Sequence, residues 1–299
     1  MVTLKQIEAL HWIARLGTFE RAAARLSTTQ SAVSKRIQEL ETTTGLPLFD
    51  RTHRGARLTE SGEQVLALGR EMMALQSRIL DLRSGAETPA RRLRIGVTDL
   101  SALTWLPRLV AVLRKTHPAV TVEPDVDLTR NLHERLLEGE RDLVVAPQLA
   151  PDPDVVTVPL ADVENAWMSR PGLVKRRGVI AMQELTRYPI VTQGNRAGSG
   201  VLYARWFKSQ GIALERTMST DSMMAAIGFI VAGLGVGYLP RHCFRPLVRE
   251  GKLVIVPTRP ALPPVPYVAM YRRDGPTAFL SGVAALARKV CDFSRQLQG

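Results

Sequence analysis

Cysteine is nearly absent from this chain of 299 residues: Cys243 and Cys291 are the only two. Two are too few for a disulfide framework. Long hydrophobic runs are also missing. None approaches the ~18 consecutive apolar residues that a membrane span requires. The opening segment, MVTLKQIEAL, carries Glu8 and no long apolar core, so it does not resemble a signal peptide. Histidine is sparse, at positions 11, 53, 117, 133 and 242, with no paired ligand spacing. No G-x-S-x-G nucleophile elbow occurs, and Gly198-Ser199-Gly200 lacks its spacing. These absences argue against a membrane, secreted, metal-dependent or enzymatic protein. A cytoplasmic protein without cofactor is expected.

What is present is ordinary globular material, 45% apolar and 23% charged, in a chain long enough for two domains. The formal charge of +12 points to an anionic partner, but its location matters. Residues 1–90 hold 12 Lys/Arg against 10 Asp/Glu, whereas residues 91–299 hold 28 against 18. The basic excess therefore lies mostly in the second part, where a solvated, solubilising surface explains it equally well. Local clusters are more informative. Lys35-Arg36, Arg51, Arg54 and Arg57 surround one stretch and can neutralise phosphates.

That stretch is Gly17 to Arg51. Phe19, Ala22, Ala23 and Leu26 recur at helical spacing, with Thr18 placed to cap the helix. Ser27-Thr28-Thr29 then interrupts the pattern, because short hydroxyl side chains compete for backbone hydrogen bonds. A second helix starts near Gln30, with Ala32, Val33, Ile37 and Leu40 as its apolar stripe. Its other face carries Gln30, Ser31, Ser34, Lys35 and Gln38, groups able to bond base edges or phosphates. Small alanines between two such helices fit a helix-turn-helix. Periodicity alone fits an ordinary helical hairpin equally well.

The wording of the stretch goes further. A-A-A-R-L, then Q-S-A-V-S-K-R-I-Q-E-L-E, then G-L-P-L-F-D-R, resembles the N-terminal domain of LysR-type transcriptional regulators. Arg54-Gly55 and Leu58-Thr59-Glu60-Ser61-Gly62 continue the match. A second signature, A-G-L-G-V-G-Y-L-P at 232–240, looks like the end of the second lobe of LysR effector domains. It is not a dinucleotide loop, since here the helix precedes the glycines and the strand follows.

The resemblance covers essentially the whole chain and implies an architecture. A winged helix-turn-helix would occupy 1–58, with a wing over Arg51 to Leu58. A long linker helix would occupy 59–84, a hinge 85–91, and a two-lobe α/β periplasmic-binding-protein-like effector domain 92–299. Lobe 1 would take about 92–162 and 267–299, and lobe 2 about 163–266. The linker helix carries Val65, Leu68, Met72, Leu75, Ile79 and Leu82 every three or four residues. Such a stripe needs cover, either from its own chain or, as the resemblance implies, from a second subunit in a homodimer or a homotetramer. In the effector region, strands are expected at Leu93–Val97, Val120–Val126, Leu143–Ala146, Val163–Met168, Ile190–Val191 and Tyr267–Tyr271. Helices are expected at Leu103–Arg114, Thr129–Leu137, Met182–Leu185, Leu202–Lys208, Met223–Val231 and Thr277–Arg295.

The partners implied are double-stranded promoter DNA and a small-molecule effector, with no membrane. Ser31, Ser34 and Lys35 would read bases, while Gln30, Arg51 and Arg54 position the backbone or adjoining groove. The effector would sit between lobes, at strand ends faced by helix N-termini. Candidates from lobe 1 are Thr98, Asp99, Leu100, Ser101 and Thr129; from lobe 2, Gln193, Asn195 and Ser199. Thr129 and Ser199 serve equally as helix caps. A small organic acid is expected, although Asp99 and Asp127 would oppose it unless they bind an amino group. Two other readings stay open: a redox sensor through Cys243, near Arg241, His242 and Arg245, and a small-molecule binder without a DNA role.

Overall fold

The structure, a computed structural model, describes residues 1–50, 56–82, 91–175, 178–214 and 217–298. Arg51, Arg54 and all but the last residue of the expected hinge lie outside the described residues. The chain divides into two compact units, Met1–Pro89 and Ala90–Gly299.

The first unit begins with α1 (Leu4–Leu16), α2 (Phe19–Arg25) and α3 (Gln30–Thr44). Each start is capped by a threonine. Thr3 and Gln6 form a reciprocal capping box, Thr18 accepts from the Arg21 amide at 3.2 Å, and Thr29 accepts from the Ala32 amide at 3.2 Å. Gly17 and Gly45 end α1 and α3 with φ of 76° and 69°, a left-handed turn that suits glycine. The three helices bury Ile7, Leu10, Ile13, Ala22, Ala23, Val33, Ile37 and Leu40 in one core. Ala32 is only half-buried, at the edge of the expected stripe. Two short strands, β1 (Phe49–Asp50) and β2 (Arg57–Leu58), pair antiparallel at the base of the expected wing. Helix α4 (Glu60–Leu82) follows, capped by Thr59, whose hydroxyl accepts from the Gly62 amide at 3.0 Å. It packs on α1 closely enough that a Cβ at Gly69 would meet Ile7 Cγ2 at 2.6 Å.

The second unit runs β3 (Arg91–Val97), α5 (Asp99–Leu103), α6 (Leu106–Thr116), β4 (Val120–Val126), α7 (Thr129–Leu137), β5 (Leu143–Pro147) and β6 (Val155–Val163). It crosses at Glu164 into β7 (Asn165–Ser169), β8 (Ile180–Ala181), α8 (Met182–Leu185), β9 (Ile190–Gln193), α9 (Gly198–Ser209), β10 (Thr217–Thr220) and α10 (Met223–Val231). Then come β11 (Val236–Pro240), α11 (Arg245–Arg249), β12 (Val254–Ile255) and β13 (Thr258–Arg259). The chain returns through β14 (Val265–Arg272) and α12 (Thr277–Val290). Two five-stranded sheets result, ordered β4-β3-β5-β14-β6 and β10-β9-β11-β7-β12. Parallel pairs join β3 to β4 and β5, and β9 to β10 and β11; β14 and β7 run antiparallel to their neighbours.

All five residues of β5 are buried, with Leu143 and Val145 facing one core cluster and Val144 and Ala146 the other. A central strand covered on both faces is why this run is continuously apolar.

Several expected bounds differ. The helix expected over Leu103–Arg114 is α6, which starts at Leu106 and runs to Thr116, with the separate short helix α5 before it, because Pro107 belongs in a first turn and Trp105 turns into the core. Strand β6 lies outside the expected set, and the strand expected from Val163 begins at Asn165 in the other sheet. Helix α12 stops at Val290. Cys291 is extended, and Asp292 accepts from the Ser294 amide at 2.8 Å.

Candidate functional site

Two surfaces hold the predicted residues. On α3, burial of Val33, Ile37 and Leu40 turns the opposite face outward. Gln30, Ser31 and Lys35 are exposed there and Ser34 is half-exposed, all within the first two turns. The Ser31 hydroxyl lies 3.0 Å from that of Thr29. Trp12, by contrast, is core: it is buried, with the guanidinium of Arg25 4.6 Å from its ring centroid.

The second surface is a cleft of about 310 Å³ between the two sheets of the second unit. Strand ends and helix starts meet here. Thr98 stands between β3 and α5, and its hydroxyl lies 3.3 Å from the phenol of Tyr267 on β14. Thr129 opens α7 and is 2% exposed. It does not cap its own helix; its hydroxyl accepts from the Gly198 amide at 3.0 Å, across the cleft floor at the start of α9. A side chain at Gly198 would meet Pro147 Cβ at 2.6 Å and Thr129 Oγ1 at 2.8 Å, so this approach needs glycine. Gln193 ends β9; its amide donates to the Tyr238 phenol at 3.0 Å, and its side-chain oxygen accepts from Ser199.

The structure thus brings Thr98, Asp99, Leu100, Thr129, Gln193 and Ser199 to one cleft. Ser101 and Asn195 are not on its wall. Ser101 points into the core, wholly buried, and Asn195 faces solvent two residues after β9 ends. Sequence reasoning missed Asp221, Ser222, Pro147 and Tyr267. Ser222 caps α10, accepting from the Ala225 amide at 3.2 Å. A capping serine before the expected helix at Met223 was the available signal. The short, polar edge strand β10 that delivers it gave none.

The cleft's charge is acidic. Asp99, Asp127 and Asp221 line it, and no Lys or Arg is among the described lining residues. Asp127 is satisfied by the Leu128 amide at 2.7 Å, Asn131 Nδ2 at 2.8 Å and Arg135 at 3.6 Å. Asp221 is half satisfied. Its Oδ2 accepts from Arg196 Nε and Nη2 at 2.9 and 2.6 Å, while Oδ1 is buried without a hydrogen-bond partner. Burial pushes the Tyr267 and Tyr238 phenols up to about 12, so both stay neutral.

Both units match known protein families. Residues 4–63 match the bacterial regulatory helix-turn-helix protein, lysR family, and residues 86–292 match the LysR substrate binding domain. The chain belongs to the LysR family of transcriptional regulators. A relative described as an uncharacterised HTH-type transcriptional regulator, YusT of Bacillus subtilis strain 168, is 28% identical over 268 residues, 90% of this chain and 89% of that one. The SDS degradation transcriptional activation protein of a Pseudomonas species is 28% identical over 88% of this chain and 87% of its own. Among solved structures, a substituted form of full-length OxyR from Pseudomonas aeruginosa superposes with a TM-score of 0.60 at 21% identity, covering 100% of this chain and 99% of that one. Full-length BenM gives 0.56 at 18% identity, over 96% of each chain. Both share the two-lobe fold.

This LysR regulator therefore has a DNA-binding helix-turn-helix and an effector-binding domain. No helix among its described residues is long and apolar enough to cross a membrane. The redox reading finds no support at Cys243. Its thiol is fully buried, and burial pushes it up to about 11, far from the exposed thiolate that a sensor uses.

Proposed function

We propose that this regulator senses a small carboxylate that also bears an amino group, held between the lobes, and that occupancy alters promoter DNA binding and bending. One observation carries the reading: the cleft mixes hydroxyls and helix starts with aspartates, and no Lys or Arg is among its described lining residues. Ser199 and Ser222 stand at the N-termini of α9 and α10, where amides and helix dipoles suit a carboxylate. Asp99 and the unpartnered oxygen of Asp221 suit an ammonium. A simple organic acid would meet Asp99 and the open oxygen of Asp221 and bring no positive charge to offset them. Differential affinity for one lobe arrangement then shifts the population.

On DNA, Ser31, Ser34 and Lys35 read base edges in the major groove, and Gln30, Arg51 and Arg54 hold the backbone or adjoining groove. The linker helix pairs antiparallel with that of a second subunit, so the working form is a homodimer or a tetramer of two dimers.

Calorimetric titration of the full-length protein tests the effector class, using α-amino acids, the matching acids without the amine, and the matching amines. Binding confined to the amino acids is expected. Equal binding of the deaminated acids would remove Asp99 and Asp221 from recognition. Binding by none, with specific promoter binding intact, would leave a DNA reader without this effector.

A further inference from the structure

A second cavity, of about 290 Å³, adjoins the same α7–α9 seam and has the opposite charge. Arg130 and His133 reach it from α7, and Arg196 and Arg205 from the other lobe. The backbone joins the two sides: the Arg130 amide donates to the Arg196 carbonyl at 3.2 Å. Two of these side chains already face carboxylates. Arg196 holds Asp221, and His133 Nε2 lies 4.0 Å from Asp152 Oδ2, which is on the same wall. Arg130 and Arg205 are exposed and pair with no carboxylate among the described residues. Leu149 and Val201 add apolar wall beside them.

We infer that this cavity is a second binding site, for a small molecule bearing a phosphate or carboxylate oxyanion gripped by Arg130 from one lobe and Arg205 from the other. The chemistry follows from the guanidinium fork, which presents paired N–H donors matched to two oxygens of an oxyanion. Neither Arg130 nor Arg205 is paired to a carboxylate among the described residues, so a bound oxyanion supplies a countercharge to both while joining the lobes. The site also touches the cleft. Arg196 lines this cavity and holds the Asp221 carboxylate that lines the other, so an anion drawing Arg196 away would make the cleft more acidic. Occupancy of the two sites is then linked, in both directions.

The test is equilibrium dialysis of the full-length protein against inorganic phosphate and, separately, citrate, with ionic strength held constant by chloride. Saturable binding of at least one is expected, weakened at least ten-fold in the double variant Arg130→Gln/Arg205→Gln and unchanged in Arg249→Gln, an exposed arginine elsewhere on the surface. Preference for phosphate or for citrate assigns the oxyanion source. Both replaced arginines are exposed, so the core is untouched; Arg205→Lys, which keeps the charge and loses the fork, should fall between. Absence of saturable binding for both probes would overturn the inference, as would equal binding by the double variant and Arg249→Gln.

Discussion

At the scale of single residues, Thr129 and Gly198 define the cleft floor. Thr129 is buried, begins a helix and commits its hydroxyl to an amide of the other lobe. Gly198 has no room for a Cβ against Pro147 and Thr129. Gly198→Ala should therefore cost about 1–3 kcal/mol through forced displacement at a packed contact, read as a lowered thermal midpoint and weakened effector binding. An unchanged midpoint would mean that the seam yields freely. Lys35 stands exposed in the second turn of α3. Lys35→Ala is expected to lose about 1–3 kcal/mol of specific DNA affinity with relaxed preference at one base position. Uniform weakening across sequences in a binding-site selection would reassign it to phosphate.

At the scale of elements, α4 is the informative one. One side is used internally: Leu66 is buried and Val65 and Met73 pack on the first unit's core. Leu68, Met72 and Leu75, spaced by four and three residues, remain 63%, 37% and 52% exposed. A stripe of this kind on a long helix calls for a partner helix. Under the proposed pairing of linker helices, Leu75→Glu should give a monomer in sedimentation velocity where the unsubstituted protein is a dimer, while leaving the helix-turn-helix folded. A dimer persisting in Leu75→Glu and Leu68→Glu alike would move the interface elsewhere. Leu68, Met72 and Leu75 were legible as one stripe because their spacing is helical; Val65, read with them, packs inward instead, and the side chains of Ile79 and Leu82 lie outside the described residues. The α5–α6 break was not legible, since apolar residues continue through it and a single proline carries the signal. Strand β10 was equally hidden, being four residues, polar and at a sheet edge.

At the scale of the whole molecule, charge and burial set the response to solution conditions. The basic excess of residues 91–299 is not spread evenly; part of it gathers as Arg130, Arg196 and Arg205 around one cavity while the neighbouring cleft is acidic. Burial raises Cys243 to about 11 and Tyr238 and Tyr267 to about 12. A raised pKa means that the fold favours the protonated form. That stability is complete below the unfolded values of 9.0 for the thiol and 10.0 for the phenols, and is lost as pH rises toward 11 and 12. The thermal midpoint should hold flat from pH 7 to about 9 and fall above it. A midpoint constant to about pH 11 would contradict their burial. Peroxide at neutral pH should leave promoter affinity unchanged, since Cys243 is a buried thiol rather than a thiolate; altered affinity that Cys243→Ala abolishes would restore the redox reading.

Local order was written in the sequence. The threonine caps, the left-handed glycines at 17 and 45 and the continuous apolar run of β5 act over a few residues, so composition and spacing reveal them. The LysR wording added the two-unit plan and pointed to Thr98, Thr129, Gln193 and Ser199 as neighbours. The tertiary structure alone decided what those residues meet. Asp221 and Ser222 join the cleft from a strand with no sequence signal, Ser101 turns inward, and Arg130 shares a cavity with Arg205, far along the chain. The physical reason is that a site's charge is a sum over side chains distant in sequence. Only the folded backbone, through pairings such as the one between Thr129 and Gly198, sets which of them add.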